Sequence, residues 1–164
     1  MGFDFKGKRV VVAGGSRGIG RSIALGFAAA GAQVSICARG ADALAATRAD
    51  IARHGGLAHA APCDLADAAD VARYVAEAQA ALGGIDILVN NASGFGMGDD
   101  EAGWAASLQV DVMAMVRASH AALPALLANA ATGSCIVHLT SISGLRPSAR
   151  SAAYAAAKAA MISY

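Results

Sequence analysis

Along the chain, short apolar runs rich in β-branched residues alternate with longer stretches in which alanine and leucine recur at helical spacing. The run Arg9–Ala13 is too brief for a helix and predicts a buried strand. A helix from Gly18 to Ala30 follows, ended by Gly31, and then a second strand from Gln33 to Ala38. The pattern repeats: helix from Ala41 to His54, closed by Gly55 and Gly56; strand from Leu57 to Ala61; N-cap at Asp67 and helix to Leu82, stopped by Gly83 and Gly84. Asp86 to Asn90 reads as a fourth strand and Ser93 to Gly98 as a glycine-rich loop. A long helical region, Glu101 to Asn129, contains Pro124, which predicts a kink. Cys135 to Thr140 is a fifth strand, and Ser151 to Tyr164 is helical. Strands alternating with helices of this length predict right-handed crossovers and a parallel sheet covered on both faces, an α/β doubly wound fold of Rossmann type in a single domain, residues 1–164.

Composition supports a packed domain: of 164 residues, 56% are hydrophobic and 15% charged, which excludes disorder. Lysine and arginine total 13 against 12 acidic residues, with no block of one sign, so neither a nucleic-acid nor a membrane surface is expected. Gly, Ser, Gln and Arg interrupt every apolar run, and no membrane span is expected. The N-terminus lacks the basic and apolar regions of a signal peptide, so the expected location is cytoplasmic. Cys37, Cys63 and Cys135 are odd in number and fall in or beside strands, which predicts buried free thiols. The four histidines lack metal-site spacing, and no metal is expected.

The chemistry concentrates at four places. Directly after the first strand, Gly14-Gly15-Ser16-Arg17-Gly18-Ile19-Gly20 carries the spacing G-x-x-x-G-x-G and opens a helix. Glycines there let the backbone turn tightly and approach a pyrophosphate, whose charge a helix N-terminus favours; the same cluster also suits a plain strand-to-helix turn. At the end of the second strand, where a carboxylate would accept from a ribose 2′-hydroxyl, the chain has Ala38 and then Arg39. Arg39 and Arg17 suit a dianionic 2′-phosphate, unless both are ordinary solvated arginines. Tyr154 and Lys158 stand four apart on one helical face, with Ser141 thirteen residues before Tyr154 at the end of a strand.

These motifs, in this order on these elements, resemble the short-chain dehydrogenase/reductase family, specifically its 3-oxoacyl-carrier-protein reductase-like branch. The resemblance implies NADP as cofactor, bound by Gly14, Ser16, Arg17, Gly18, Ile19, Gly20, Arg39, Asp64, Leu65, Asn91, Ala92, Tyr154 and Lys158. Asp64 matches an adenine-contacting turn and equally suits capping that turn, while Asn90 equally suits stabilising the sheet. Tyr154 is implied as proton donor or acceptor, Lys158 as the group that holds the nicotinamide ribose and tunes the tyrosine, and Ser141 as a hydrogen-bond donor to the substrate oxygen. A phenol is a poor base near neutrality, and an adjacent ammonium favours the phenolate.

Three positions depart from the family pattern: Ala13 stands for a threonine, Ser93 for a glycine, and Asp111 for a catalytic asparagine. Asp111 is carried over as a member of the catalytic set whose charge favours the lysine ammonium. Residues Gly94 to Gly98 and Gly144 to Ser148, mostly small or apolar, are the candidate substrate lining and imply a carbonyl or alcohol of little charge. Relatives continue past the Tyr-Lys helix into further strands and form homo-oligomers, dimers or tetramers, so the chain is expected to be truncated after the fifth strand and catalytic helix. The alternatives to an active oxidoreductase are an inactive NADP-binding module and a structural remnant.

Overall fold

The computed structural model describes residues 3–146 and 149–164. Five strands, β1 (Arg9–Ala13), β2 (Gln33–Ala38), β3 (Ala58–Pro62), β4 (Ile87–Asn90) and β5 (Cys135–His138), form one sheet in the order β3-β2-β1-β4-β5. All four pairings are parallel, with Val10 opposite Val34 and Ile87 across the centre. Each crossover passes through helix: α1 (Gly18–Ala29), α2 (Ala41–Ala52), α3 (Ala68–Leu82), and then α4 (Glu101–Ala106) and α5 (Ala114–Ala128) before β5. A last helix, α6 (Ala152–Ser163), follows a turn after β5.

Alternation along β1 divides the core. Val10 and Val12 point to α1 and α2, joining Ala24, Ala28, Leu44 and Ile51. Val11 and Ala13 point to the opposite face, against Val71, Val75 and Ala78 of α3 and Ala114, Ala118 and Ala122 of α5. Because both faces are covered, the central strands are apolar at nearly every position. Asp67 caps α3 by accepting from the Asp70 amide, and Gly83 ends that helix in the left-handed conformation (φ 73°) that glycine adopts without strain.

Three expectations need correction. The break in the long helix falls at Ser107–Met113, which is π-helical, and Ala114–Ala128 stays α-helical through Pro124. A π-helical stretch widens the turn locally and re-aims its side chains, and here it carries Asp111 inward. Cys135 is exposed because β5 is the edge strand with alternate positions facing out; Cys37 and Cys63 are buried free thiols as expected. Finally, the continuous helical stretch Glu101–Ala128 is long and apolar enough, by length and composition, to cross a membrane. It lies against the sheet, with Met115, Ala118, Ala122 and Leu126 buried in the core, as a packed helix of a doubly wound domain does.

Candidate active site

In a doubly wound sheet, ligand sites form beyond the carboxyl ends of the strands where the strand order reverses, here between β1 and β4. The loops that leave these two strands are held together. Gly14 and Gly15 donate their amides to the Cys37 carbonyl, and the Asn91 side-chain amide donates to the Gly14 carbonyl at 2.7 Å. From α2, Thr47 Oγ1 donates to the Ser16 carbonyl at 3.0 Å. Asn91 and Thr47 therefore order a loop that lacks the hydroxyl absent at Ala13. Thr47 carries no sequence signal for this role, because only the packing of α2 beside the loop creates it.

The glycine loop fits a nucleotide diphosphate. Gly14 adopts φ +84°, closed to most side chains, and a Cβ there would lie 3.0 Å from Ala92. A Cβ on Gly20 would overlap the Gly14 carbonyl oxygen and Asn91 Nδ2, so α1 and this loop meet at van der Waals limits. At Gly18 (φ +56°), by contrast, a Cβ would meet only open space. Among the described residues no side chain caps the first turn of α1, which leaves its backbone N–H groups able to receive an anion. Ile19 stands 68% exposed at this mouth, an apolar surface open to solvent.

Arg17 and Arg39 are both exposed and, among the described residues, make no ion pair or side-chain hydrogen bond. Asp64 uses one carboxylate oxygen to accept from the Ala66 amide at 3.0 Å, so its turn-capping role is realised, and Leu65 behind it is buried. Asn90 is 4% exposed and donates towards Ser119 Oγ and His138 Nδ1, tying β4 to α5 and β5.

On the other side of β4, Ser141 lies three residues beyond the end of β5 and accepts the Ser143 amide, capping a 3-10 turn over Ile142–Gly144. That turn is pressed onto α6: a Cβ on Gly144 would come within 2.8 Å of the Lys158 carbonyl carbon. Tyr154 and Lys158 share one face of α6, with Lys158 Nζ 5.6 Å from the Tyr154 ring centroid. Phe95 of the β4 loop stacks on Tyr154, ring centroids 6.1 Å apart and planes within 10°. Phe95 is the one described non-glycine residue at positive φ (49°), and Ser93 Oγ accepts its amide. Ser93 thus supports a backbone turn that brings an aromatic face over Tyr154. Of the candidate lining, Pro147 and Ser148 lie outside the described residues.

Lys158 is 2% exposed. Its ammonium donates to the Leu139 carbonyl at 2.8 Å and to Met161 Sδ at 3.3 Å, and stands 3.0 Å from Asp111 Oδ1. The other oxygen of Asp111 accepts the Gly94 amide at 2.9 Å. Among the described residues no group of three or more His, Cys, Asp or Glu could hold a metal ion.

A glycine-lined turn after β1, and beyond it Ser141, Tyr154 and Lys158 around α6, stand at the carboxyl end of the sheet. The family described as short chain dehydrogenase matches residues 8–164. The chain belongs to the short-chain dehydrogenase family. It is 36% identical to the rhamnolipid-biosynthesis 3-oxoacyl-[acyl-carrier-protein] reductase of Pseudomonas aeruginosa, over 97% of this chain and 64% of that protein. Among solved structures, a short-chain dehydrogenase from Burkholderia cenocepacia in complex with NADP superposes with a TM-score of 0.88 at 41% identity, covering 96% of this chain and 65% of that one. An NAD+-bound xylitol dehydrogenase superposes with a TM-score of 0.90 at 26% identity, covering 97% and 62%. The chain therefore spans about two thirds of the length of these relatives.

Proposed function

We propose that this short-chain dehydrogenase is the cofactor-binding and catalytic part of an oxidoreductase that interconverts a carbonyl and an alcohol with NADP(H). The observation that carries the reading is the placement of Ser141, Tyr154 and Lys158 around the α6 surface at the carboxyl end of the sheet, beside a glycine cradle with two unpaired arginines. When bound, the nicotinamide supplies or accepts the hydride. The chain's own residues do the rest. Gly14, Ser16, Gly18, Ile19 and Gly20 receive the diphosphate, with Ala92 packed on Gly14 from behind. Arg17 and Arg39 take the 2′-phosphate, and Asp64 and Leu65 border the adenine.

Tyr154 donates its phenolic proton to the substrate oxygen as the carbonyl is reduced and takes it back in oxidation. Ser141 donates a hydrogen bond to the same oxygen, and Lys158 holds the ribose. Phe95, stacked on Tyr154, walls the reacting position with an apolar face, which favours substrates of low charge such as a 3-oxoacyl chain. The 3-oxoacyl assignment is supported by the named relative from Pseudomonas aeruginosa.

Cofactor choice tests the reading directly, because an ammonium or guanidinium pair attracts a phosphate dianion and a carboxylate repels it. NADPH is expected to bind more tightly than NADH, and Ala38→Asp combined with Arg39→Ala is expected to reverse the order in titrations of both nucleotides. Equal dissociation constants before and after the change remove the assignment. Nucleotide binding without turnover of any member of a ketone panel would make the chain an NADP-binding module instead.

A further inference from the structure

The ammonium that should meet a ribose is buried and engaged. A lysine carries three N–H donors. Two of those on Lys158 are taken by the Leu139 carbonyl and Met161 Sδ, and the nitrogen stands 3.0 Å from Asp111 Oδ1 as an ion pair. Asp111 is 1% exposed, and its Oδ1 accepts no hydrogen bond among the described residues, so the Lys158 ammonium meets it as an ion pair alone. A carboxylate oxygen with a single cationic neighbour in a buried site holds that neighbour strongly, because leaving either charge alone there is costly. Asp111 is fixed from two sides, by the π-helical backbone of Ser107–Met113 and by the Gly94 amide on Oδ2.

We propose that Asp111 is a positioning residue that latches Lys158 in a retracted, buried state, so that cofactor binding must open the Asp111–Lys158 pair to bring the ammonium to the ribose. The inference rests on the reading of Lys158 as the ribose-holding lysine. Opening draws on the binding free energy of the nucleotide, so the apparent affinity falls by the fraction of molecules with the lysine released. Because Asp111 also anchors Gly94, the latch couples that release to the loop that carries Phe95 over Tyr154.

Two measurements on the purified protein test this, one without nucleotide. Reductive methylation followed by mass spectrometry compares Lys158 with the exposed Lys6. In the unaltered protein Lys158 is expected to react about tenfold or more slowly, as a group reached only through local opening does. Asp111→Asn keeps the shape and an acceptor for the Gly94 amide but removes the charge, and it is expected to raise the Lys158 rate about fivefold or more, the lower end of energetic couplings between sites. Met161→Leu, which leaves the ion pair in place, should keep Lys158 protected.

The second measurement is NADPH titration. Asp111→Asn is expected to tighten binding by a similar factor, and to have no effect on binding in a Lys158→Met background, where there is no ammonium to release. An equal gain in both backgrounds would mean that the carboxylate acts only by repelling the nucleotide phosphates, and would overturn the latch. So would a Lys158 that methylates as fast as Lys6 in the unaltered protein, a result independent of whether Asp111→Asn folds. Absence of nucleotide binding in every variant, with the methylation pattern as expected, would instead remove the cofactor reading and leave the buried pair standing as a structural one.

Discussion

At the scale of single residues, Tyr154 is half-buried between the Phe95 ring and the Lys158 ammonium, an environment that fixes the phenol whose hydroxyl, on the proposed reading, acts on the substrate. Removing only that hydroxyl keeps both ring contacts. Tyr154→Phe is therefore expected to leave NADPH affinity within about a factor of two while lowering turnover by roughly two to four orders of magnitude, the usual contribution of a positioned acid. Steady-state kinetics with a good ketone, alongside cofactor titration, read the two effects separately. A Phe variant that keeps most of its rate shows that another group moves the proton.

Among elements, the junction of the β1 turn with α1 tolerates the least change. Gly20 lies in the first turn of α1, where an added Cβ would overlap the Gly14 carbonyl oxygen and the Asn91 amide that locks it. Neither neighbour can give way, since Gly14 also packs on Ala92 and the Asn91 backbone amide donates to the Ala13 carbonyl. Gly20→Ala is expected to cost about 1–3 kcal/mol of stability through overpacking, measured by urea unfolding, and to weaken NADPH binding as the cradle shifts. Gly26→Ala on the same helix, where a Cβ meets nothing within 4 Å, serves as the control and should be stable and bind normally.

For the molecule as a whole, two buried polar contacts tie the sheet together and set its response to acid. Asp86, just before β4, accepts from the Arg9 guanidinium at 2.8 and 2.9 Å and from the Arg9 amide at 2.9 Å, and the guanidinium holds its carboxyl below the usual carboxylate range. Stability from this pair is present above the carboxylate's ordinary value of 3.8 and is lost as pH falls through the lowered value. His138, at the end of β5, accepts from Asn90 through Nδ1, and burial lowers its affinity for a proton. The unfolded chain then binds the proton first, so stability declines as pH falls below the ordinary histidine value of 6.5 and levels off once the folded protein is protonated too. His59, likewise lowered by burial, adds to the same slope. The urea midpoint is expected to drop between pH 7.5 and pH 5.5, and His138→Gln should flatten part of that drop. A slope unchanged by this substitution would place the acid sensitivity elsewhere.

Much of this architecture is legible in the chain itself, for a physical reason: period, caps and glycines act within a few residues of each other. Strands β1 and β2 and helices α1 and α3 fall within a residue or so of their expected bounds, because β-branched runs, the Asp67 cap and the glycine at Gly83 are local signals. The glycine cradle and the Tyr154–Lys158 spacing were visible on the same grounds. What only the tertiary structure decided is where local preference yields to packing. Pro124 promised a break in the long helix, yet the irregularity fell at Ser107–Met113, where the helix turns Asp111 into the sheet face. Cys135 reads as a buried thiol until β5 proves to be the edge strand. Asn91 is implied as a cofactor contact by the family resemblance, and only the fold adds that its side-chain amide donates to the Gly14 carbonyl 77 residues earlier in the chain. The meeting of Asp111 with Lys158 likewise joins charges far apart in sequence, and the desolvation that makes the pair consequential exists only once π-helix and α6 close over them.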